Sequence, residues 1–462
     1  MSKLSRFFNS IKGKKVCFVG IGTSNLPLIE LFAKKGAVVS ACDKQSYEAL
    51  GENAVRAQAA GAKLILGENY LENIDTDILF RSPGTPFHRP ELENLRKKGV
   101  VVTSEMEVFF DLCPCRIIAV TGSDGKTTTT TIISELLKAA GKKVHLGGNI
   151  GTPLLPIIEQ IKEDDVAVVE LSSFQLISMR TSPDIAVVTN LAPNHLDIHK
   201  DMDEYVDAKR NIVLHQNAFS KAVLNLDNEI ADSFSADVRG QLAKFSRRKP
   251  VINGAYLDGS TIIYNDHGEL TKIMYYHDIK IPGMHNVENY LAAISAVWGM
   301  VDVPTIVEVA KNFGGVEHRA EFVRELDGVK YYNDSIASSP TRTAMGTLSL
   351  YEEKIIIIAG GYDKHIPYEP LGPVICDKVK VLILMGDTAP KIEEAVRNSE
   401  NYSEGNPIII NVKNMEEAVA AARRNAVKGD IVSLSPASAS FGLYKNFAQR
   451  GNHFKDIVNS LE

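Results

Sequence analysis

Cysteine is too scarce and too scattered to staple a fold: Cys17, Cys42, Cys113, Cys115 and Cys376 are all that 462 residues contain, which excludes a disulfide framework. Cys113 and Cys115 form a lone Cys-Pro-Cys without the second pair a zinc site needs, so free thiols in a reducing compartment are expected rather than a metal site. Long apolar runs are missing too. No stretch approaches the ~20 residues that cross a bilayer, so no membrane insertion is expected. The opening residues, MSKLSRFFNSIKGKKV, lack the apolar core of a secretory signal. Positive charge is in deficit, with a formal net charge of -6. That argues against a nucleic-acid partner, which selects for basic surfaces, but leaves open a local site for a phosphorylated small molecule. Short-period repeats and low-complexity tracts are absent. What is present, 44% apolar and 23% charged residues, is the composition of an ordinary globular protein, expected to be cytoplasmic. The length accommodates roughly three units of ~150 residues.

Short apolar runs alternate with helical patterns in three blocks. The first opens with Lys15-Val16-Cys17-Phe18-Val19-Gly20, a helix over Leu26 to Lys35, and Ala37-Val38-Val39-Ser40-Ala41-Cys42-Asp43, a second strand ending in an acid. Strand, glycine turn, helix, strand and acid make a βαβ unit. Further strands are predicted at 63–66, 78–80 and 100–102. The second block has strands at 116–120, 166–171 and 185–189, and a helix over 127–140. The third has strands at 355–359, 379–385, 407–411 and 430–434. Apolar strands spaced by helices predict an α/β fold of parallel sheets covered on both faces. Residues 252–280 break the pattern with short alternating segments and turns at Asp258-Gly259 and Asn265-Asp266, which predicts a small antiparallel excursion.

Thr121-Gly122-Ser123-Asp124-Gly125-Lys126-Thr127-Thr128 lies between a predicted strand and a predicted helix. Glycines let backbone N–H groups converge on phosphate oxygens, and the helix N-terminus adds partial positive charge. Lys126 is placed to reach β/γ phosphates and Thr127 to ligate Mg²⁺. Val120 stands where the standard phosphate loop has glycine, so this is a variant of that loop. A nucleoside triphosphate brings Mg²⁺, which prefers hard oxygen ligands. Glu170 ends the apolar run 166–169, and His195 follows the strand at 185–189. Taken alone, an acid or a histidine at a strand end is more often a cap or a surface group. The phosphate loop in the same block favours a metal role.

These residues belong to a longer pattern. Together with the loop, Glu170-Leu171-Ser172-Ser173-Phe174-Gln175-Leu176, Gly283-Met284-His285-Asn286-Val287-Glu288-Asn289, Glu317-His318-Arg319, Asn333-Asp334-Ser335, Gly360-Gly361-Tyr362-Asp363-Lys364 and Leu434-Ser435-Pro436-Ala437-Ser438-Ala439-Ser440 appear in order, followed by Tyr444-Lys445-Asn446-Phe447 and Arg450-Gly451. From about residue 15 to about 455 the chain resembles the Mur ligases, and most closely the branch that adds D-glutamate. The resemblance implies three domains: a Rossmann-like UDP-binding domain at 1–113, a central P-loop-type ATPase domain at 114–316 and a C-terminal Rossmann-like amino-acid domain at 317–462. It implies ATP, UDP-N-acetylmuramoyl-L-alanine and D-glutamate as substrates, two Mg²⁺ ions, an acyl-phosphate route to an amide, and a monomer.

It also implies residue roles. Lys126, Glu170, His195 and Lys209 would be catalytic. Gly122, Asp124, Gly125, Lys126, Thr127, Thr128, Asn286, Asn289, Arg319 and Asp334 would hold ATP. Thr127, Glu170, His195 and Lys209, the last as a carbamate, would hold metal. Gly22, Thr23, Ser24, Asn25, Asp43, Lys44, Ser82 and Asn149 would contact the UDP substrate. Ser338, Lys364, Ser440 and Phe447 would contact glutamate. Read from its own neighbours, Lys209 is a solvated helix lysine, and Asn25 stands where a dinucleotide fingerprint has its third glycine. Ile336 replaces a lysine common in the family, so handedness is not legible and addition of L-glutamate or another amino acid stands as the alternative. A non-catalytic nucleotide-binding protein is the second alternative. The diaminopimelate adders carry an Asp-Asn-Pro motif absent here, the alanine adder has His in place of Asp124, and folylpolyglutamate synthases lack the first domain.

Overall fold

The computed structural model describes residues 2–193 and 198–462. They divide into two compact units, Met1–Tyr276 with Glu288–Val309, and His277–Val287 with Ala310–Glu462.

The first unit holds two parallel sheets and a small antiparallel one. β1 (Lys15–Val19), β2 (Val38–Asp43), β3 (Lys63–Leu66), β4 (Ile78–Arg81) and β5 (Val101–Thr103) form a sheet in the order β3-β2-β1-β4-β5. Every pairing in it is parallel. β6 (Arg116–Thr121), β7 (Val144–Gly148), β8 (Val166–Glu170), β9 (Ile185–Val188), β10 (Lys221–Asn225) and β11 (Gln241–Phe245) form the second, in the order β11-β10-β9-β6-β8-β7. Burial follows this order. The central β8 and β9 are buried along their whole length, whereas the edge strands β3, β7 and β11 are half-exposed. A β-branched run such as Val-Ala-Val-Val is stable only where helices cover both faces. The antiparallel excursion forms β12 (Asn253–Asp258), β13 (Thr261–Asp266) and β14 (Glu269–Tyr275). The turn into β14 uses His267 at φ +53 and Gly268 at φ +110, the mirror-image geometry that matches strand twist. One apolar core runs beneath both parallel sheets, joining Phe18, Phe32 and Phe80 to Phe109, Leu155 and Val169.

The second unit is built on β15 (Glu321–Leu326), β16 (Val329–Asn333), β17 (Ile355–Ala359), β18 (Val379–Leu384), β19 (Ile408–Asn411) and β20 (Ile431–Leu434), in the order β15-β16-β20-β17-β18-β19. β17, four isoleucines and an alanine, is buried throughout, with layers of apolar side chains on both faces. The four strands predicted here pair in parallel, and β15, a strand not predicted from the sequence, adds to them antiparallel through β16. The turn responsible is Asp327-Gly328, at φ +53 and +75, a strong hairpin signal. Among the described residues no helix is long and apolar enough to cross a membrane.

Candidate active site

In an open α/β sheet, ligands gather outside the carboxyl ends of strands, where neighbouring connections leave in opposite directions. β6 is such a strand, with β8 on one side and β9 on the other. Its end runs through Gly122–Gly125 into the helix Lys126–Ala139, and Gly125 enters that helix at φ +75. The helix therefore starts one residue before its predicted start. Gly122 has φ +153, and a side chain there would strike the Thr189 hydroxyl and the Asn190 backbone. The segment after β9 grips the loop. Thr189 Oγ1 donates to Asp124 O at 2.6 Å, Asn190 Oδ1 accepts from Asp124 N at 2.9 Å, and Asn190 O accepts from Ser123 N at 2.8 Å. Ser123 Oγ also meets Tyr205 Oη at 2.9 Å. The loop is thus held in shape by the protein itself. The first bond of the helix is Thr129 N–H to Gly125 O, which leaves the preceding amides facing out of the helix N-terminus.

Two lysines converge on this loop. Lys126 Nζ donates to Gly122 O at 2.9 Å and Ser123 O at 2.8 Å. Lys209 Nζ donates to the same Gly122 carbonyl at 2.9 Å and to Thr121 Oγ1 at 3.1 Å. Far from being solvated, Lys209 is only 2% exposed. Burial drives its pKa well below the usual lysine value, Lys126 adds repulsion, and Glu170 and Asp124 oppose the shift. Once deprotonated, the amine would have two N–H groups for these two bonds and a lone pair left over.

Glu170, at the end of β8, is 1% exposed. Its Oε1 accepts from Asn149 Nδ2 at 2.7 Å, and its Oε2 is buried without a hydrogen-bond partner among the described residues. An orphaned carboxylate oxygen beside the Gly122–Gly125 turn fits a hard divalent cation. His195 lies outside the described residues, and among those described no cluster of three His, Cys, Asp or Glu side chains is placed to hold a metal. Thr127 and Thr128 open the helix, Thr127 half-buried and Thr128 buried. Asn289 Oδ1 accepts from Thr129 Oγ1 at 3.1 Å and lies against Gly125.

A cavity of about 430 Å³ opens where β1 and β4 diverge. Gly22, Thr23, Ser24, Asn25, Asp43, Ser82 and Asn149 line it, together with Gly148, Gly151 and Gln175. Seven of the eight residues expected to contact the UDP substrate are thereby brought together, and Asn149 links this cavity to Glu170. Lys44 is exposed and outside the lining. Asp43 accepts from Ile21 N at 2.8 Å and Gln45 N at 3.0 Å. The Asn25 amide closes the turn onto Val19 O at 2.9 Å, which is the part a third glycine does not play.

The cavity wall at Gly151–Pro153 is anchored from below by Glu105, whose Oε1 accepts from Leu154 N and Leu155 N, both at 2.9 Å. Burial raises the Glu105 pKa to about 7, against the two amide bonds. An unfolded chain releases this proton near 4.5 and the folded chain near 7. Between those values the folded state binds more protons, so this group makes stability fall as pH rises. Glu105→Gln keeps an acceptor for the amides and removes the charge. Relative to the parent chain, its stability is expected to improve steadily from about pH 5 to about pH 8. Thermal melts across that range check this, and parallel pH profiles for the two proteins would refute it.

In the second unit, Asp334 is 5% exposed and accepts from Ala320 N at 3.2 Å and from the Thr347 hydroxyl. Burial raises its pKa, while Thr347, the Ala320 amide and Arg319 oppose the shift. His318 and Ala320, at φ +63 and +42, and Ala437, at φ +54, hold left-handed backbone at this end of the sheet, a strain of about 1–3 kcal/mol each. Asn286 donates to Pro282 O at 2.6 Å. Of the expected glutamate contacts, Ser440 is buried, Ser338 half-buried, and Lys364 and Phe447 exposed. Arg450, given no role from the sequence, is buried among their loops.

The chain matches the Mur ligase middle domain over residues 120–297 and the Mur ligase glutamate ligase domain over residues 318–438. It is 53% identical to the UDP-N-acetylmuramoylalanine--D-glutamate ligase of Acetivibrio thermocellus, covering 100% of this chain and 99% of the relative. Identity to the protein of that name from Clostridium botulinum strain Hall is 49%, over the full length of both. Among solved structures, the UDP-N-acetylmuramate-alanine ligase MurC of Thermotoga maritima matches with a TM-score of 0.57 at 18% identity, covering 97% of this chain and 99% of that one.

Proposed function

The chain belongs to the Mur ligase family, and from that membership we infer that it is an ATP-dependent ligase joining D-glutamate to UDP-N-acetylmuramoyl-L-alanine in peptidoglycan synthesis. The observation that carries this reading is near 50% identity, end to end, with ligases of that specificity. With it come a cytoplasmic monomer and three domains at 1–113, 114–316 and 317–462.

The substrate carboxylate takes the γ-phosphoryl group of ATP, giving an acyl phosphate and ADP. The neutral amine of glutamate attacks the acyl carbon, and the tetrahedral adduct expels phosphate to leave the amide. Such transfers need alignment and charge neutralisation more than covalent help from the protein. The rigid Gly122–Gly125 turn and the helix N-terminus would receive the β and γ phosphates. Lys126 would leave its two loop carbonyls for phosphate oxygens. The cavity between β1 and β4 would hold the UDP end, and Asn149 would meet the substrate beside Glu170. Glu170 and Thr127 would hold Mg²⁺, two ions in all, with His195 as a further ligand. The cation, when bound, neutralises phosphate charge. Lys209 is suited to capture CO₂, since its amine is buried, weakly basic and retains a free lone pair. The resulting carbamate would add an oxygen ligand.

Phosphate release and product mass, measured with ATP, UDP-N-acetylmuramoyl-L-alanine and either enantiomer of glutamate, test the assignment. Turnover is expected with D-glutamate and not with L-glutamate. Preference for the L enantiomer would overturn the specificity, and release of phosphate independent of both substrates would overturn the ligase.

A further inference from the structure

The helix Phe447–Ser460, capped by Asn446, drives its first turn into the carboxyl end of the second unit's sheet. Gly451 permits the approach, because a side chain there would strike His318 and Asn333. Beside it Arg450 is 3% exposed. Its guanidinium spans two loops. Nε donates to Ser335 Oγ at 3.0 Å and Nη2 to Ser335 O at 2.9 Å, in the loop after β16. Nη1 donates to Ser438 O and Ala439 O, both at 3.1 Å, in the loop after β20. The loop after β17 joins them, since Tyr362 N donates to Ala439 O at 2.9 Å, and Gly361 leaves room for Arg450 Nη1.

All of these acceptors are neutral, and among the described residues no carboxylate pairs with Arg450. Burial lowers its pKa to about 10, with Tyr444 opposing, so the charge persists at neutral pH. An uncompensated buried cation is a costly way to fasten loops together. It becomes intelligible if the counter-charge arrives with the substrate. Glutamate ready to attack has a neutral amine and two carboxylates, and it needs fixed positive charge to receive them.

We propose that Arg450 is a positioning residue for the amino-acid substrate, fastening the loops after β16 and β20 into one cationic cradle for its carboxylates. The proposal rests on the ligase reading above. The test compares the parent enzyme with Arg450→Met, Arg450→Lys and Ser335→Ala, measuring kcat and KM for each of the three substrates. Arg450→Met is expected to raise KM for D-glutamate at least ~10-fold while KM for ATP and for the UDP substrate stays within ~2-fold. Arg450→Lys should recover part of the loss, and Ser335→Ala, which removes one anchor, should show a smaller rise confined to D-glutamate. Equal shifts in all three KM values, or a loss of kcat and melting temperature alone, would overturn the proposal. Should Arg450→Met fail to fold, an unchanged D-glutamate KM in Ser335→Ala overturns it equally. A parent enzyme that does not turn over glutamate would instead sink the ligase reading.

Discussion

Replacing Lys126 by alanine is expected to lower ATP-dependent turnover at least ~10³-fold, the scale seen when a fixed charge donor is taken from a developing transition state. The structure makes the loss hard to repair. The turn is pinned by Thr189, Asn190 and Ser123, so it cannot shift to bring another cation in. Lys209, the nearest substitute, is buried on Gly122 O and Thr121 Oγ1 with its charged form disfavoured. Because those pinning bonds do not involve the Lys126 side chain, the melting temperature is expected to stay close to that of the parent. Single-turnover phosphate release with all substrates saturating measures the effect. Turnover within ~10-fold of the parent would mean that the γ-phosphate is held elsewhere.

Lys209→Met is expected to separate activity from stability. Turnover should fall at least ~10²-fold, through loss of the amine beside the phosphate loop, while thermal stability holds or rises. The stability argument is electrostatic. Burial holds the folded-state pKa well below the ordinary lysine value of 10.5. The native amine therefore holds its proton less tightly than the unfolded one, and folding works against that proton. Methionine fills similar volume without that cost. The stability difference should shrink as pH rises from neutral and vanish only above 10.5, where both states of the parent are deprotonated. Melts in CO₂-free buffer isolate this term. In ¹³C-bicarbonate, a carbamate resonance in the parent that vanishes in Lys209→Met would support CO₂ capture, and a parent without one would remove the carbamate from the mechanism. A variant that is both fully active and less stable would contradict the burial argument as well.

The strand–turn–helix at Thr121–Thr128 was legible because it is local: eight consecutive residues announce a strand end, a glycine loop and a helix start. The sheet interiors were legible because Val166–Glu170 and Ile355–Ala359 admit few surroundings other than two covered faces. Lys209 defeated local reading. Its neighbours in Met202–Leu214 include Asp203, Glu204 and Asp207, the pattern of a wet helix face, and only the resemblance to a family gave it a role. What buries it is Thr121 and Gly122, nearly ninety positions earlier in the chain. Arg450 was opaque for the same reason, since its anchors on Ser335 lie 115 residues away. The grip of Thr189 and Asn190 on the phosphate turn depends on β9 lying beside β6, a fact of sheet order that no short segment encodes. The hairpin at Asp327-Gly328 is a different case: its turn signal was present in the sequence, and the half-exposed, charge-rich β15 concealed it.

The shared Gly122 carbonyl has a thermodynamic consequence. While both lysines rest on it, burial lowers the proton affinity of Lys209 and the positive charge of Lys126 lowers it further. A nucleotide that drew Lys126 outward would weaken that repulsion and return basicity to its neighbour. Linkage makes the exchange reciprocal: whatever ionisation state nucleotide binding favours at Lys209 must, when imposed first, favour nucleotide binding. Occupancy of the Gly122–Gly125 turn and the acid–base state of a buried amine would then be two readings of one equilibrium.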